Sequence, residues 1–333
     1  MSTTPPVLAI PGISVGLSTR LQDGLAKVDE LITATVDYDD PLIADASAHL
    51  FDAGGKRVRP LLTLLAAELG TGPNPDVVAA AAGCELTHLA SLYHDDVMDE
   101  ADVRRGVPSA NAKYDNSTAI LIGDLLFGKA SELVAGLGAE AVLIQARTFV
   151  RLCAGQIRDD RPSPPGVDPV EYYLGVLADK AGALIATSAR YGAMFSGCSA
   201  ETVDVITAFG ERLGVAFQMA DDLIDISSDG TETGKTPGTD LREGVATLAV
   251  LYARAGTDPR DARLRELLGG DLRDDARLTE ALDLLRTNAA LEQARERTRA
   301  VGAEAVALLG GLPESDAKTA LTALVTSVVD RLG

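Results

Sequence analysis

The sequence predicts an all-α bundle. Alanine and leucine are abundant, aromatic residues make up only 4%, and the alternating β-branched runs that signal strands are scarce. Apolar types reach 46% and charged types 24% of the 333 residues, so the chain can bury a sizeable core and does not read as disordered.

The elements follow from where the apolar pattern runs and where it is interrupted. Residues 1–16 read as a loose head and 17–333 as one helical domain. Helices are expected near 17–37, 40–53 and 60–70, and GTGPNPD at 70–76 separates the third from a long helix near 76–100. Two more fall near 117–136 and 139–159, and RPSPPGVDP at 161–169 precedes one near 169–196. A long helix near 200–228 runs into SSDGTETGKTPGTD at 227–240. Helices near 240–256, 261–268, 276–309 (broken) and 314–332 complete the chain, with no linker long enough to divide it. The head has no basic residue before Arg20 and no long apolar run, so no secretory signal is expected. No stretch of 18 uncharged apolar residues occurs, so no transmembrane helix is expected. The expectation is a cytoplasmic chain.

Lys and Arg number 30 against 49 Asp and Glu, a formal charge of −19. A net acidic surface argues against nucleic-acid binding and against attachment to anionic lipid by charge. Cys84, Cys153 and Cys198 are too far apart for a disulfide framework or a closely spaced zinc site.

The main chemical signal is a pair of acidic words of the form D-D-x-x-D. Asp95-Asp96-Val97-Met98-Asp99 and Asp221-Asp222-Leu223-Ile224-Asp225 each close a long apolar helical stretch. Residues i and i+4 share a helix face, so Asp95 and Asp99 project together, as do Asp221 and Asp225. A helix C-terminus already carries partial negative charge, so these carboxylates call for a positive partner. Oxygen-only donors without His or Cys suit Mg²⁺, which keeps positions open for water and phosphate oxygens. Basic residues stand nearby: Lys56, Arg57 and Arg59 in GGKRVRP at 54–60, Arg104 and Arg105 after the first word, Lys180 mid-chain and Lys235 after the second word. In so acidic a chain this juxtaposition suggests a diphosphate ligand, since Arg supplies planar forks and Lys a point charge.

Taken together, GGKRVRP, ELTHLASLYHDDVMDEADVRRG, GVAFQMADDLIDI and GKTPGTDLREG closely resemble the trans-polyprenyl diphosphate synthases, over roughly residues 45–255. The resemblance implies an isoprenoid-synthase-type bundle around a central cavity, with the two aspartate helices facing each other, usually as a homodimer. It implies a prenyltransferase that condenses isopentenyl diphosphate head-to-tail onto an allylic diphosphate. Carried over residue by residue, Asp95, Asp99, Asp221 and, more weakly, Asp225 would hold Mg²⁺, with Asp96 and Asp222 in support. Arg104, Lys180 and Lys235 would face the allylic diphosphate, with Gln218 nearby. Lys56, Arg59, His88 and Arg105 match the isopentenyl diphosphate site. Breaking the allylic C–O bond gives a carbocation and a diphosphate anion, and preorganised positive charge stabilises that anion as it forms.

The same resemblance bears on product length. Ala90 and Ser91, one to two turns before Asp95, would line the path of the growing tail, with Thr87 further down. All are small, where a bulky aromatic side chain in the family stops growth early, so a long product is expected. The chain departs from the family at Val245, where Lys is common, at Ala249, where Pro is common, and at Ala181, where Thr is common. Arg242 is a candidate to replace the missing Lys. A shorter geranylgeranyl or farnesyl product, with the floor elsewhere (at Phe149, for example), and a noncatalytic prenyl-diphosphate-binding subunit stay open as alternatives.

Overall fold

The computed structural model describes residues 10–159, 161–228 and 237–332. Ser14 opens α1 (Val15–Thr35) by accepting a hydrogen bond from the Leu17 amide at 3.2 Å. Asp40 caps α2 (Pro41–Asp52), and α3 (Val58–Ala67) follows the left-handed backbone of Arg57. Asn74 caps α4 (Pro75–Met98), whose proline in the first turn needs no amide partner. A two-strand hairpin, β1 (Val103–Arg104) and β2 (Val107–Pro108), pairs antiparallel with Val103 opposite Pro108. Its turn residues Arg105 and Gly106 both have positive φ, 55° and 78°, as a tight hairpin turn with matching twist requires.

Then come α5 (Ala110–Tyr114), α6 (Asn116–Ala135), α7 (Ala139–Asp159) and α8 (Pro169–Leu177). A π-helical turn at Ala178–Gly182 joins α8 to α9 (Ala183–Phe195). The chain continues through α10 (Ala200–Ser227), α11 (Thr239–Glu243), α12 (Leu248–Ala255), α13 (Ala262–Leu268), α14 (Asp275–Arg286), α15 (Ala289–Leu308) and α16 (Asp316–Val329).

The all-α expectation holds, and most predicted helices lie within a few residues of those observed. The hairpin and α5 were not anticipated: six hairpin residues give no useful periodicity, and α5 is barely one turn. The helix expected over 169–196 is interrupted by the π-turn, and the one over 240–256 breaks at Gly244, whose φ of 83° suits a helix end.

Two compact units emerge, each discontinuous in sequence: Met1–Phe149 with Leu184–Gly210 and Gly311–Ala323, and Val150–Ala183 with Glu211–Gly310 and Leu324–Gly333. In the first, α4 is the central rod and packs against α1, α3 and α6. Its burial is nearly complete from Ala80 to Ala90. The apolar stripe of α1, Leu17, Leu21, Leu25, Val28 and Ile32, recurs at three- and four-residue spacing and is buried along its length. In the second unit, α12 is the hub and touches α8, α13, α14 and α15. Among the described residues no helix is long and apolar enough to cross a membrane. Cys84 is buried as a free thiol, and burial pushes its pKa up to about 12, so it is an inert core residue.

Candidate active site

The first acidic word sits where α4 ends. Asp95 is half-buried, Asp99 is the exposed C-cap, and Asp96 between them is completely buried. The hairpin supplies the compensating charge: Arg104 Nε donates to Asp96 Oδ1 at 2.5 Å, and its Nη2 lies 3.6 Å from Asp99 Oδ2. The Ala110 amide donates to the other Asp96 oxygen at 3.2 Å. Asp96 thus ties the end of α4 to the hairpin and to α5, while Asp95 and Asp99 keep the i, i+4 relation that the sequence suggested.

A cationic cluster lies in the same unit. Arg59, Arg105 and His88 occupy partly buried positions, and Lys56 is exposed. Burial lowers the pKa of both guanidinium groups, partly offset by Glu85, and Asp95 is close enough to Arg59 to favour its charge. Burial also holds His88 well below the usual imidazole value, and Arg59, Arg105, Arg104 and Arg57 add to the effect, so His88 is a neutral donor at neutral pH. The buried Nε of Arg59 makes no hydrogen bond among the described residues. A buried N–H of a cation without an acceptor is costly, and an anion is the acceptor that fits it. By contrast, a groove of about 750 Å³ between α1 and α2 is lined by Asp29, Glu30, Asp37 and Asp52, and would repel a diphosphate.

The second acidic word lies in the last two turns of α10 and belongs to the second unit. Asp222 is buried and held by neutral donors, the Tyr173 hydroxyl at 2.7 Å and the Gln218 amide at 2.8 Å. Burial is the main cause that pushes its pKa up to about 6, with Asp221 and Asp159 adding to the rise. Asp221 faces Arg331, whose Nη2 stands 2.9 Å away and whose guanidinium carbon lies 5.5 Å from the Phe217 ring centre. Asp225 accepts from the amides of Thr239 and Asp240 at 3.3 and 3.2 Å. Lys180, on the π-turn, pairs with Asp159 at 2.6 Å.

Several sequence-predicted residues are thereby grouped. Asp95, Asp99, Arg104, Arg59, His88 and Arg105 share one unit, and Asp221, Asp225, Gln218 and Lys180 share the other. Lys235 lies outside the described residues. Ser91 is half-buried, whereas Ala90 is completely buried with its carbonyl turned to α6, 3.3 Å from where a Cβ on Gly123 would stand. Arg242, the candidate substitute for the missing lysine, is engaged elsewhere, with Asp275 at 2.6 Å and the Arg273 carbonyl at 2.8 Å. Tyr173, Asp159, Glu85 and Arg331 escaped the sequence reading. Only Asp159 carried a local hint, as the first of two acids that precede the RPSPPGVDP breaker.

Among the described residues, no three His, Cys, Asp or Glu side chains are gathered as a ready-made metal cage. What each word presents is an oxygen-only carboxylate pair on one helix face. That donor set suits Mg²⁺, which takes few protein oxygens and fills the rest of its octahedron with water and phosphate.

A family model described as polyprenyl synthetase matches residues 40–285. Nonaprenyl diphosphate synthase from Mycobacterium tuberculosis is 47% identical over 98% of this chain and 99% of its own length. Dimethylallyltranstransferase from the same organism is 39% identical over 96% of this chain and 98% of its own. Among solved structures, geranylgeranyl pyrophosphate synthase from Corynebacterium glutamicum, complexed with calcium and isoprenyl diphosphate, superposes with a TM-score of 0.85 at 43% identity, covering 96% of this chain and 98% of that one. A decaprenyl diphosphate synthase from Rhodobacter capsulatus superposes with a TM-score of 0.86 at 33% identity, covering 96% and 99%.

Proposed function

The chain belongs to the polyprenyl synthetase family and is a trans-prenyltransferase of isoprenoid-synthase fold; on that premise we propose that it extends an allylic diphosphate with isopentenyl diphosphate to a long-chain polyprenyl diphosphate. Magnesium, held by Asp95, Asp99, Asp221 and Asp225, would supply Lewis acidity to the departing diphosphate. Arg104, Lys180 and Lys235 then add fixed positive charge to the allylic diphosphate, and Gln218 orients the second acidic word through Asp222. Lys56, Arg59, His88 and Arg105 receive isopentenyl diphosphate. No protein base is assigned, because the departing diphosphate can take the proton lost after C–C bond formation.

The observation that carries this reading is the orphaned Arg59 Nε within a partly buried cationic cluster. The four carboxylates and their ions need one diphosphate, and a separate, partly buried cation cluster calls for a second anion. A protein acting on a single diphosphate substrate has no need of both. The test is turnover of the lone chain with Mg²⁺, an allylic primer and labelled isopentenyl diphosphate. Diphosphate release with a lengthened product is expected, and chelation should abolish it until Mg²⁺ is restored. Binding of both substrates without diphosphate release would overturn the reading in favour of a noncatalytic subunit.

Product length rests on Ser91 and its neighbours. Ser91 is the half-buried small residue one turn before Asp95, so the tail path is assigned along it, with the buried Ala90 behind. Ser91→Phe is expected to shorten the products by several isoprene units, read by chromatography of the dephosphorylated alcohols; unchanged lengths would move the path elsewhere. Relatives with long products, nonaprenyl and decaprenyl among them, support the long-chain reading. A cytoplasmic homodimer is proposed as the working form. Ile120 and Leu121 on α6 and Val142, Leu143 and Phe149 on α7 are exposed apolar side chains suited to a second copy. The acidic charge weighs against a nucleic-acid partner.

A further inference from the structure

Of the three basic residues in GGKRVRP, Arg57 behaves unlike the other two. Its side chain is 6% exposed and its guanidinium is held on every side. Nε donates to Asp29 at 3.2 Å, Nη1 to Glu85 and to the Gly54 carbonyl, both at 3.3 Å, and Nη2 to the Phe51 carbonyl at 3.2 Å. The group also lies over the Phe51 ring, 4.2 Å from its centre. Four of its five N–H donors are turned to protein and the side chain is buried, so Arg57 serves by holding other groups.

What it holds is the seat of Arg105. The carbonyls of Leu50 and Phe51 belong to the last turn of α2, where a helix leaves acceptors without i+4 partners, and that of Phe51 also accepts from the Gly54 amide at 3.0 Å. Arg57 takes Phe51, and Arg105 Nη1 takes Leu50 at 2.7 Å. The Gly54 carbonyl accepts from both arginines. Gly55 completes the seat: a Cβ there would stand 2.9 Å from the Arg105 guanidinium carbon, so the fork lies against a bare Cα at a φ of +139°. Glu85, 2% exposed on α4, is the buried acid that fixes Arg57 and lies near both Arg59 and Arg105.

We infer that Glu85 and Arg57 are positioning residues: they lock the end of α2 and the Gly54–Gly55 turn, and so aim the Arg105 and Arg59 guanidiniums at the diphosphate of isopentenyl diphosphate. The inference rests on the proposed function for the identity of that anion. Glu85 acts through Arg57, and neither touches the substrate. Removing the Glu85 charge loosens one of the anchors of Arg57 and leaves a set of neighbouring cations without their buried counter-charge.

The experiment compares wild type with Glu85→Gln, Arg57→Lys and Gly55→Ala. Affinity for isopentenyl diphosphate is read by calorimetry on the resting protein, and KM for each substrate and kcat are read in turnover. Each variant is expected to lose isopentenyl diphosphate affinity by about tenfold or more, with KM for the allylic substrate within about twofold of wild type. Glu85→Asp should recover part of the loss. Gly55→Ala displaces the Arg105 fork without altering Arg57 or Glu85, so it reads the same seat should the charge variants fail to fold. Unchanged isopentenyl diphosphate affinity in a folded variant overturns the inference. So does an equal loss for both substrates, the mark of a general structural defect. Wild type that binds isopentenyl diphosphate but does not turn over would sink the proposed function while leaving the positioning comparison readable. Wild type that binds none would sink both.

Discussion

The middle carboxylates of the two acidic words are both buried, but they are held in opposite ways. Asp96 meets a cation, Arg104, at 2.5 Å, and a backbone amide. Among the described residues Asp222 meets neutral donors, Tyr173 and Gln218. The outer acids differ too. In the first word Asp99 stands within 3.6 Å of the same Arg104, so one side chain serves two acids. In the second, Asp221 is met by Arg331 and Asp225 by amides at the start of α11. Identical five-letter words therefore carry different electrostatics, set by what the rest of each unit brings to them. The first is charge-compensated by its own hairpin. The second has no cation at its core among the described residues; burial, with Asp221 and Asp159 adding to it, raises Asp222 to about 6 and leaves more of the word's charge to be met by bound cations.

Breaking the first arrangement should have the largest effect. Arg104→Ala leaves the completely buried Asp96 without its cation and is expected to destabilise the protein by about 3–5 kcal/mol, read by chemical denaturation. Arg104→Lys should recover only part, because one ammonium cannot reach both Asp96 and Asp99 as a fork does. A loss below about 1 kcal/mol for Arg104→Ala would mean that Asp96 does not depend on the cation, and the contrast between the words would collapse.

The second word should show itself in pH dependence. A carboxyl whose folded pKa lies above its unfolded value favours the folded state most when protonated. That contribution is complete below the ordinary value of 3.8 and is lost as pH rises through about 6. Measured in chelator, the stability of wild type relative to Asp222→Asn should therefore fall between about pH 4 and about pH 7, by an amount on the order of 3 kcal/mol. A flat difference across that range would show that Tyr173 and Gln218 compensate the charge fully. Tyr173→Phe sharpens the same point on a smaller scale. It removes one donor from Asp222, should cost about 1–3 kcal/mol at neutral pH, and should cost less in acid, where Asp222 is protonated.

This contrast also marks how far the amino-acid sequence could be read. The acids were legible because their relation is local: spacing of four on a helix puts Asp95 with Asp99 and Asp221 with Asp225 whatever the rest of the chain does. The helices were legible where Gly and Pro punctuate them, as at 70–76. Arg104 and Arg105 were legible as nearby charge, but not their division of labour, which the positive φ of Arg105 in an unanticipated hairpin decides. Tyr173 and Arg331 were not legible at all, since they reach the second word from 49 and 110 residues away and have no pattern of their own. Arg57 could not be told from Arg59 by type or spacing. Only the carbonyls at the end of α2 and the buried Glu85 separate a side chain that holds the site together from one whose Nε stays unmet among the described residues.

The smallest expected effect concerns Arg331, and it tests whether the second word really waits for a cation. Arg331 and Asp221 are both about one-third exposed, so their pair should contribute under about 1 kcal/mol to stability. Its influence on ligand binding is a separate matter. An arginine resting on a carboxylate assigned to a metal ion occupies the place that ion needs, so the two compete for Asp221. Arg331→Ala should then leave the melting temperature within a few degrees of wild type and bind Mn²⁺, a paramagnetic stand-in for Mg²⁺, about two- to fivefold more tightly in the absence of substrate, on the scale of a sub-kcal/mol competition. Electron paramagnetic resonance of free Mn²⁺ reads the affinity directly, without turnover. Weaker Mn²⁺ binding in the variant would mean that Arg331 holds Asp221 in a ligating pose rather than covering it, and the second word would then prove as charge-compensated in its working state as the first.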